Sequence, residues 1–250
     1  MRNLLMALSA VFVLTTSFYV FPDKVLAKNT SKKDTISLAV QPIHSGEKEN
    51  IPTSDLLYSS LDFNGNSLDK TVFEKAFQGF ENLKKAGKLH ENCHLLTICD
   101  FSKSSNSKRL WVIDTQEKKV LFNSLVAHGM GTGDEFAEKF SNNESSHQSS
   151  LGFYITETTY EGNNGFSLRL IGMDKGFNDA ALQRAIVMHG ANYVSEDFAK
   201  QNKRIGRSWG CPAVPRNLAE PIINTIKDNN VLFIYYPDQN YLNASEWLKM

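Results

Sequence analysis

At 250 residues the chain is long enough for one domain with a sizeable core, with or without appendages. Its 27 basic and 27 acidic residues balance, so no cationic surplus points to nucleic acid and no run of like charge marks an interaction tail. An apolar content of 41% with 16 phenylalanines excludes a disordered chain and predicts a packed globule.

The first residues are of a different material. Arg2 precedes a charge-free stretch over residues 4–21, and Val25-Leu26-Ala27 supplies the small residues that precede a signal-peptide cleavage point. This layout predicts a signal peptide over residues 1–27 and an exported protein. The apolar stretch also approaches the ~18 residues of a short membrane span, so an uncleaved N-terminal anchor is the alternative. Residues 28–54 are rich in Lys, Ser, Thr and Asn, contain Pro42 and Pro52, and read as a linker or mobile arm. A folded domain is expected over residues 55–240, with 241–250 as a C-terminal tail.

Within the domain a helix comes first. Val72, Phe73, Ala76, Phe77, Phe80 and Leu83 recur at helical spacing, Thr71 with Glu74 offers a capping box, and Gly87 makes a stop. The aromatic stripe is a core-facing surface. From residue 94 the texture turns to strands. Residues 95–101, 109–114 and 120–126 read as three, the last two joined by a hairpin loop at 115–119. The segment 128–134 is glycine-rich but lacks the Gly-Lys-Ser/Thr or Gly-x-Gly-x-x-Gly patterns that cradle phosphate. Residues 141–150 hold no apolar side chain and read as exposed loop. Strands follow over 151–156 and 166–171, a short helix over 178–184, and an apolar strand running into His189-Gly190. Helices over 193–202 and 217–227 and a strand over 231–236 complete an α+β domain built on a β-rich mixed sheet or sandwich-like fold.

The chemistry concentrates at Ile205-Gly206-Arg207-Ser208-Trp209-Gly210-Cys211-Pro212. A cysteine between glycine and proline is presented from a shaped loop, and Arg204 and Arg207 close upstream would favour its thiolate. His189, at the mouth of the preceding apolar strand, is the candidate general base. The backbone N–H groups of Gly210 and Cys211 are candidates for an oxyanion-stabilising pair. Cys93 and Cys99 sit beside or within one strand, where six extended residues hold their Cα atoms ~20 Å apart, so both read as core thiols.

Two competing readings are weaker. Gly206-Arg207-Ser208-Trp209-Gly210 is a literal Gly-x-Ser-x-Gly, but no strand precedes it, no helix follows, and every histidine lies upstream of Ser208. A metal site from His128, His147, His189 and Cys211, or from His90 and Cys93, lacks ligand spacing, so no metal is assigned.

With these residues in view, the chain resembles the L,D-transpeptidase (YkuD-like) family, and within it the murein L,D-transpeptidase catalytic domain branch. The resemblance rests on His189-Gly190 followed by Ser208-Trp209-Gly210-Cys211. Asp100-Phe101-Ser102-Lys103, Arg109 to Asp114, Val126-Ala127-His128-Gly129, Ser149 to Phe153 and Arg184 to Ala191 support it in consistent order. Trp209 stands where the family carries histidine, and Pro-Ala-Val-Pro follows the cysteine in place of arginine or asparagine. The resemblance implies a mainly β catalytic domain over 55–240 in the cell envelope or periplasm, with Cys211 as nucleophile and His189 as proton carrier. It also implies an imidazole oriented by a carbonyl near Gly190, and Ser208 steadying the loop or the imidazole. Peptidoglycan stem peptides are the implied partners, with no cofactor, no nucleic acid and no stable protein partner. Water as acceptor would make the protein a thiol L,D-carboxypeptidase, and loss of chemistry a wall-binding module. Substrate-contacting residues do not transfer.

Overall fold

The computed structural model describes residues 54–249. The expected signal peptide and, apart from Ser54, the expected linker lie outside the described residues. Two helices open the domain, α1 (Ser54–Ser60) and α2 (Lys70–Lys85). Then come β1 (Leu95–Asp100), β2 (Leu110–Asp114), β3 (Lys119–Ser124), β4 (Gly152–Gly162), β5 (Gly165–Gly172) and β6 (Val187–Ala191). The chain ends through α3 (Glu196–Asn202), β7 (Ala213–Pro215), α4 (Arg216–Ile226), β8 (Val231–Tyr235), α5 (Gln239–Ala244) and a 3-10 turn, Glu246–Leu248.

The eight strands form one mixed sheet in the order β3-β2-β1-β8-β4-β5-β6-β7. The pairs β1–β8 and β6–β7 are parallel and the others antiparallel. Strands β1, β2 and β8 are buried at every residue, which is why they read as continuous apolar runs rather than alternating ones. Helix α2 lays its predicted stripe on this central part of the sheet. Gly79, in the middle of α2, admits the Phe153 ring of β4, whose nearest carbon would lie 2.0 Å from an added Cβ. Phe153 in turn stacks on Phe233 of β8 at 4.1 Å between centroids. The helix tolerates the glycine, which costs about 1 kcal/mol against alanine, because it lets two layers interlock.

Strands β3 and β7 stand at opposite ends of the order, yet the chain leaving β3 reaches β7. Ala127 N–H donates to Ala213 O at 2.8 Å, and Gly129 bridges Ser208. The sheet curls until its ends meet, and the cysteine loop lies on that seam. Arg109, fully buried, fastens it. The guanidinium donates to Val126 O at 3.0 and 3.1 Å, to Lys103 O at 2.7 Å and to His128 Nδ1 at 2.8 Å. Burial lowers its pKa to about 9, opposed by Cys99 and the Asp100 carboxylate.

Four local expectations are corrected. The α2 cap is Asp69, whose carboxylate accepts from Thr71 and Val72 N–H at 2.8 and 3.2 Å, so Thr71 lies inside the helix and forms no capping box. The helix expected over 178–184 is a run of turns, closed by Ile186 N–H to Ala181 O at 2.9 Å around Ala185 at φ 55°. Residues 141–150 are not simply exposed, because Ser149 and Ser150 are buried against the site. The segment from 241 is no free tail, since Tyr241 and Trp247 enter the core and Ser245 is buried. Cys93 and Cys99 are free and buried, the thiol of Cys99 pushed up to about 12 by burial.

Candidate active site

Strand β6 delivers His189, which is 4% exposed, and pairs it with Ala213 of β7, two residues beyond Cys211. The imidazole Nδ1 lies 3.2 Å from Gly190 O. A carbonyl only accepts, so Nδ1 carries the proton and Nε2 keeps its lone pair. Gly190 itself lies against α4, where an added Cβ would come within 2.8 Å of the Ala219 methyl. Burial lowers the His189 pKa, opposed by the Gly190 carbonyl and assisted by Arg216, so the neutral ring is favoured.

Cys211 is partly buried. The sulfur accepts from Val187 N–H at 3.5 Å and the thiol donates to Ala185 O at 3.7 Å. No hydrogen bond joins thiol and imidazole in this resting arrangement. Burial raises the thiol pKa, while Val187 N–H and the Arg184 charge pull it down. The cation that acts on the thiol is therefore Arg184. Arg204 and Arg207, expected in that role, are both turned to Asp134, at 3.7 and 2.8 Å.

The loop is shaped by Ser208 and Gly210. Ser208 Oγ donates to Cys211 O at 2.6 Å and accepts from Gly210 N–H at 3.1 Å, so this hydroxyl holds the turn and is spent as a nucleophile. That bond bears on the expected oxyanion pair. Gly210 N–H is already taken, whereas Cys211 N–H has no partner among the described residues. Gly210 adopts φ 119°, and an added Cβ would meet Gln148 O at 2.7 Å.

Residues 141–150 form the wall behind the loop. Ser149 Oγ accepts from Gly129 N–H at 3.1 Å and donates to Gly210 O at 3.2 Å. Arg184 pins the same segment through Ser141 O and Gln148 O, both at 2.7 Å, and through Ser146 and Ser150 Oγ. His128, buried on the seam, accepts from Arg109 at Nδ1 and donates from Nε2 to Asp134 O at 3.1 Å. Burial and the Arg109 charge lower its pKa to about 4. Both ring nitrogens are occupied, so His128 is a structural strut. Among the described residues no three His, Cys, Asp or Glu side chains converge as a metal site would require.

Two cavities open along the stretch 209–215. One of about 330 Å³ is bordered by Trp209, the other, of about 530 Å³, by Ala191, Pro215 and Arg216. Sequence reasoning found the cysteine, the histidine and the loop. It missed Arg184, Arg109 and Ser149, whose partners are scattered backbone carbonyls and amides that no spacing rule encodes.

The family model of the L,D-transpeptidase catalytic domain matches residues 64–235, and the chain belongs to that family. Among curated proteins none matches. Similar solved structures include an L,D-transpeptidase from Mycobacterium smegmatis, at 10% identity over 57% of this chain and 59% of that one, TM-score 0.35. Another is an L,D-transpeptidase from Mycobacterium tuberculosis H37Rv, at 12% identity over 57% of this chain and 58% of that one, TM-score 0.34. A third is the helical cell shape determining protein Pgp2 from Campylobacter jejuni, at 14% identity over 66% of this chain and 57% of that one, TM-score 0.38. The chain thus spans less than two thirds of each of these proteins, 57 to 59% of their lengths.

Proposed function

We propose that the chain is a cysteine-dependent peptidoglycan L,D-transpeptidase of the cell envelope, with Cys211 as nucleophile and His189 as proton carrier. The observation that carries the reading is the contact of His189 Nδ1 with Gly190 O at 3.2 Å, which selects the tautomer. Nδ1–H is held by Gly190 O, which leaves the Nε2 lone pair for a thiol on the adjoining chain. Burial favours the uncharged form of both groups, which supports a base that acts during attack rather than through a preformed ion pair.

In the first half-reaction the Cys211 sulfur attacks the carbonyl of the L-centre of the diamino acid in a tetrapeptide stem, as His189 Nε2 takes the thiol proton. Cys211 N–H is the available donor toward the developing oxyanion. The tetrahedral intermediate collapses to a thioester, and the terminal D-residue leaves as an amine carrying the proton from His189. In the second half, His189 deprotonates the amine of a second stem, which attacks the thioester and restores the thiol. Each step moves one proton through one imidazole, and no cofactor enters. The cavity beyond Ala191 supports room for a second stem. The charge-free stretch behind Arg2 supports an envelope location.

The test is intact-protein mass spectrometry of the purified protein mixed with tetrapeptide muropeptides, with the soluble products followed in parallel. An acyl adduct lost in Cys211→Ala, together with dimeric muropeptides, is the expected result. An adduct releasing only tripeptide would make the protein a carboxypeptidase, and the absence of both adduct and product would favour a binding module.

A further inference from the structure

Trp209 is the side chain of the cysteine loop that the transpeptidase chemistry leaves without a task. The chain has three tryptophans. Trp111 and Trp247 are 0% and 4% exposed, and their indole N–H groups donate to Asn66 O and Met173 O at 3.0 and 2.8 Å. Trp209 is 74% exposed, and its indole N–H has no partner among the described residues. A single exposed aromatic is common on protein surfaces, so the case for Trp209 rests on what surrounds it. On one side His147 meets the ring in an edge contact at 5.0 Å between centroids and 62°.

The adjoining cavity of about 330 Å³ shows what would fit. Around Trp209 and His147 it is bordered by Ser145 and by Glu144 and Gln183, the last two joined by Gln183 Nε2 donating to Glu144 Oε1 at 2.5 Å, which leaves the second carboxylate oxygen and the carboxamide oxygen as further acceptors. His147 Nδ1 is buried there with no hydrogen-bond partner. Arg184 borders the space, but its guanidinium already donates to Ser141 O, Ser146 Oγ, Gln148 O and Ser150 Oγ, so the cavity is a poor trap for an anion. One indole face with a ring of neutral or acceptor groups suits a ligand that has a flat C–H face and many hydroxyls. The slightly positive C–H face of a pyranose meets the negative face of the indole, and its hydroxyls meet the polar rim. The volume lies at the lower end of the ~300–1,000 Å³ of ligand pockets, enough for one ring but short for an extended peptide.

Resting on the transpeptidase reading, we propose that Trp209 and its cavity form a sugar subsite that takes a pyranose ring of the wall glycan. The donor stem is then read together with the strand that carries it. The two spans are of similar order, the length of the indole side chain adding to the backbone reach. Trp209 is two residues from Cys211, a reach of at most ~7 Å, and the attacked carbonyl belongs to the third stem residue, ~10 Å from the sugar along an extended peptide. Stacking against Trp209 and a stem laid toward Cys211 are geometrically compatible.

Two donors test the proposal with the full-length protein, the free tetrapeptide and the same stem on its disaccharide. In Trp209→Ala the KM for the disaccharide donor should rise about tenfold, with kcat held and the free-tetrapeptide constants unchanged. Trp209→Phe should recover most of the loss. Equal losses on both donors, or none on either, would overturn the sugar subsite. A binding measurement separates this result from the chemistry. In Cys211→Ala an N-acetylglucosamine tetramer should quench tryptophan fluorescence at millimolar concentration, and Cys211→Ala/Trp209→Ala should show no change. If the wild type turns over neither donor, the transpeptidase reading fails while the fluorescence titration still decides the subsite, and no quenching would refute it.

Discussion

The Cys211 thiol and the His189 imidazole are each pushed by burial toward the uncharged form, the thiol upward and the imidazole downward. A resting thiolate–imidazolium pair would reverse both directions, because each charge would stabilise the other. The pH profile separates the two. The acid limb of kcat/KM should fall below the ordinary histidine pKa of about 6.5, since the free base persists into more acidic solution. Alkylation of Cys211 by iodoacetamide should rise only above the ordinary thiol range, near pH 8.5. An acid limb above 6.5 would point to the ion pair instead. His189→Gln should lose most of the rate while keeping the melting temperature, because its Nδ1 bond reaches only a neighbouring carbonyl.

At the scale of elements, the cysteine loop depends on a backbone that side chains rarely adopt. Gly210→Ala would force φ 119° on an L-residue and drive a methyl into Gln148 O. The expected outcome is a loss of about 1–3 kcal/mol of stability together with a fall in kcat, since Ser149 ties Gly210 O to the wall at 141–150. Gly79→Ala is the control. It crowds Phe153 in the core, far along the sequence from the loop, and should lower the melting temperature while leaving kcat of the folded protein unchanged. Thermal melts and initial rates on the two variants distinguish loop shape from general stability. The wall itself was read as plain loop for want of apolar residues, and it is ordered by Arg184 and Ser149 instead.

Across the whole molecule, two buried titratable groups oppose each other. Asp174 accepts from Phe153 N–H at 2.7 Å, Ser245 Oγ at 2.5 Å and Tyr241 OH at 3.3 Å, tying the C-terminal helix to β4. Burial raises its pKa from 3.8 to about 6. Its contribution is therefore complete below pH 3.8 and is lost as pH rises through about 6. His128 runs the other way, with its pKa lowered from 6.5 to about 4. Its contribution is complete above pH 6.5 and is lost as pH falls through about 4. Each is on the order of 3 kcal/mol, so the pair should nearly cancel between pH 4 and 6.5. In Asp174→Asn the compensation disappears, and the urea midpoint should drop on acidification across that window. A midpoint as flat as the wild type's would show that Asp174 is not the opposing group.

Local composition was enough to announce the strands, the stripe of α2, the cysteine between glycine and proline, and the histidine ending an apolar run. Each of these follows from backbone preference or periodicity within a few residues. The edge strand β7, three residues long, and the folding back of 241–249 carried no such signal, because both exist only through contacts with distant chain. The same is true of the seam. Nothing near residue 211 encodes that the chain leaving β3 meets β7, that Arg109 fastens that segment through Val126, or that Arg184 rather than Arg204 or Arg207 supplies the charge near the thiol. Residue type and spacing determined which atoms could do chemistry. Only the closure of the sheet decided which of them stand together, because hydrogen bonds from buried guanidinium groups go to carbonyls, and carbonyls are the same at every residue.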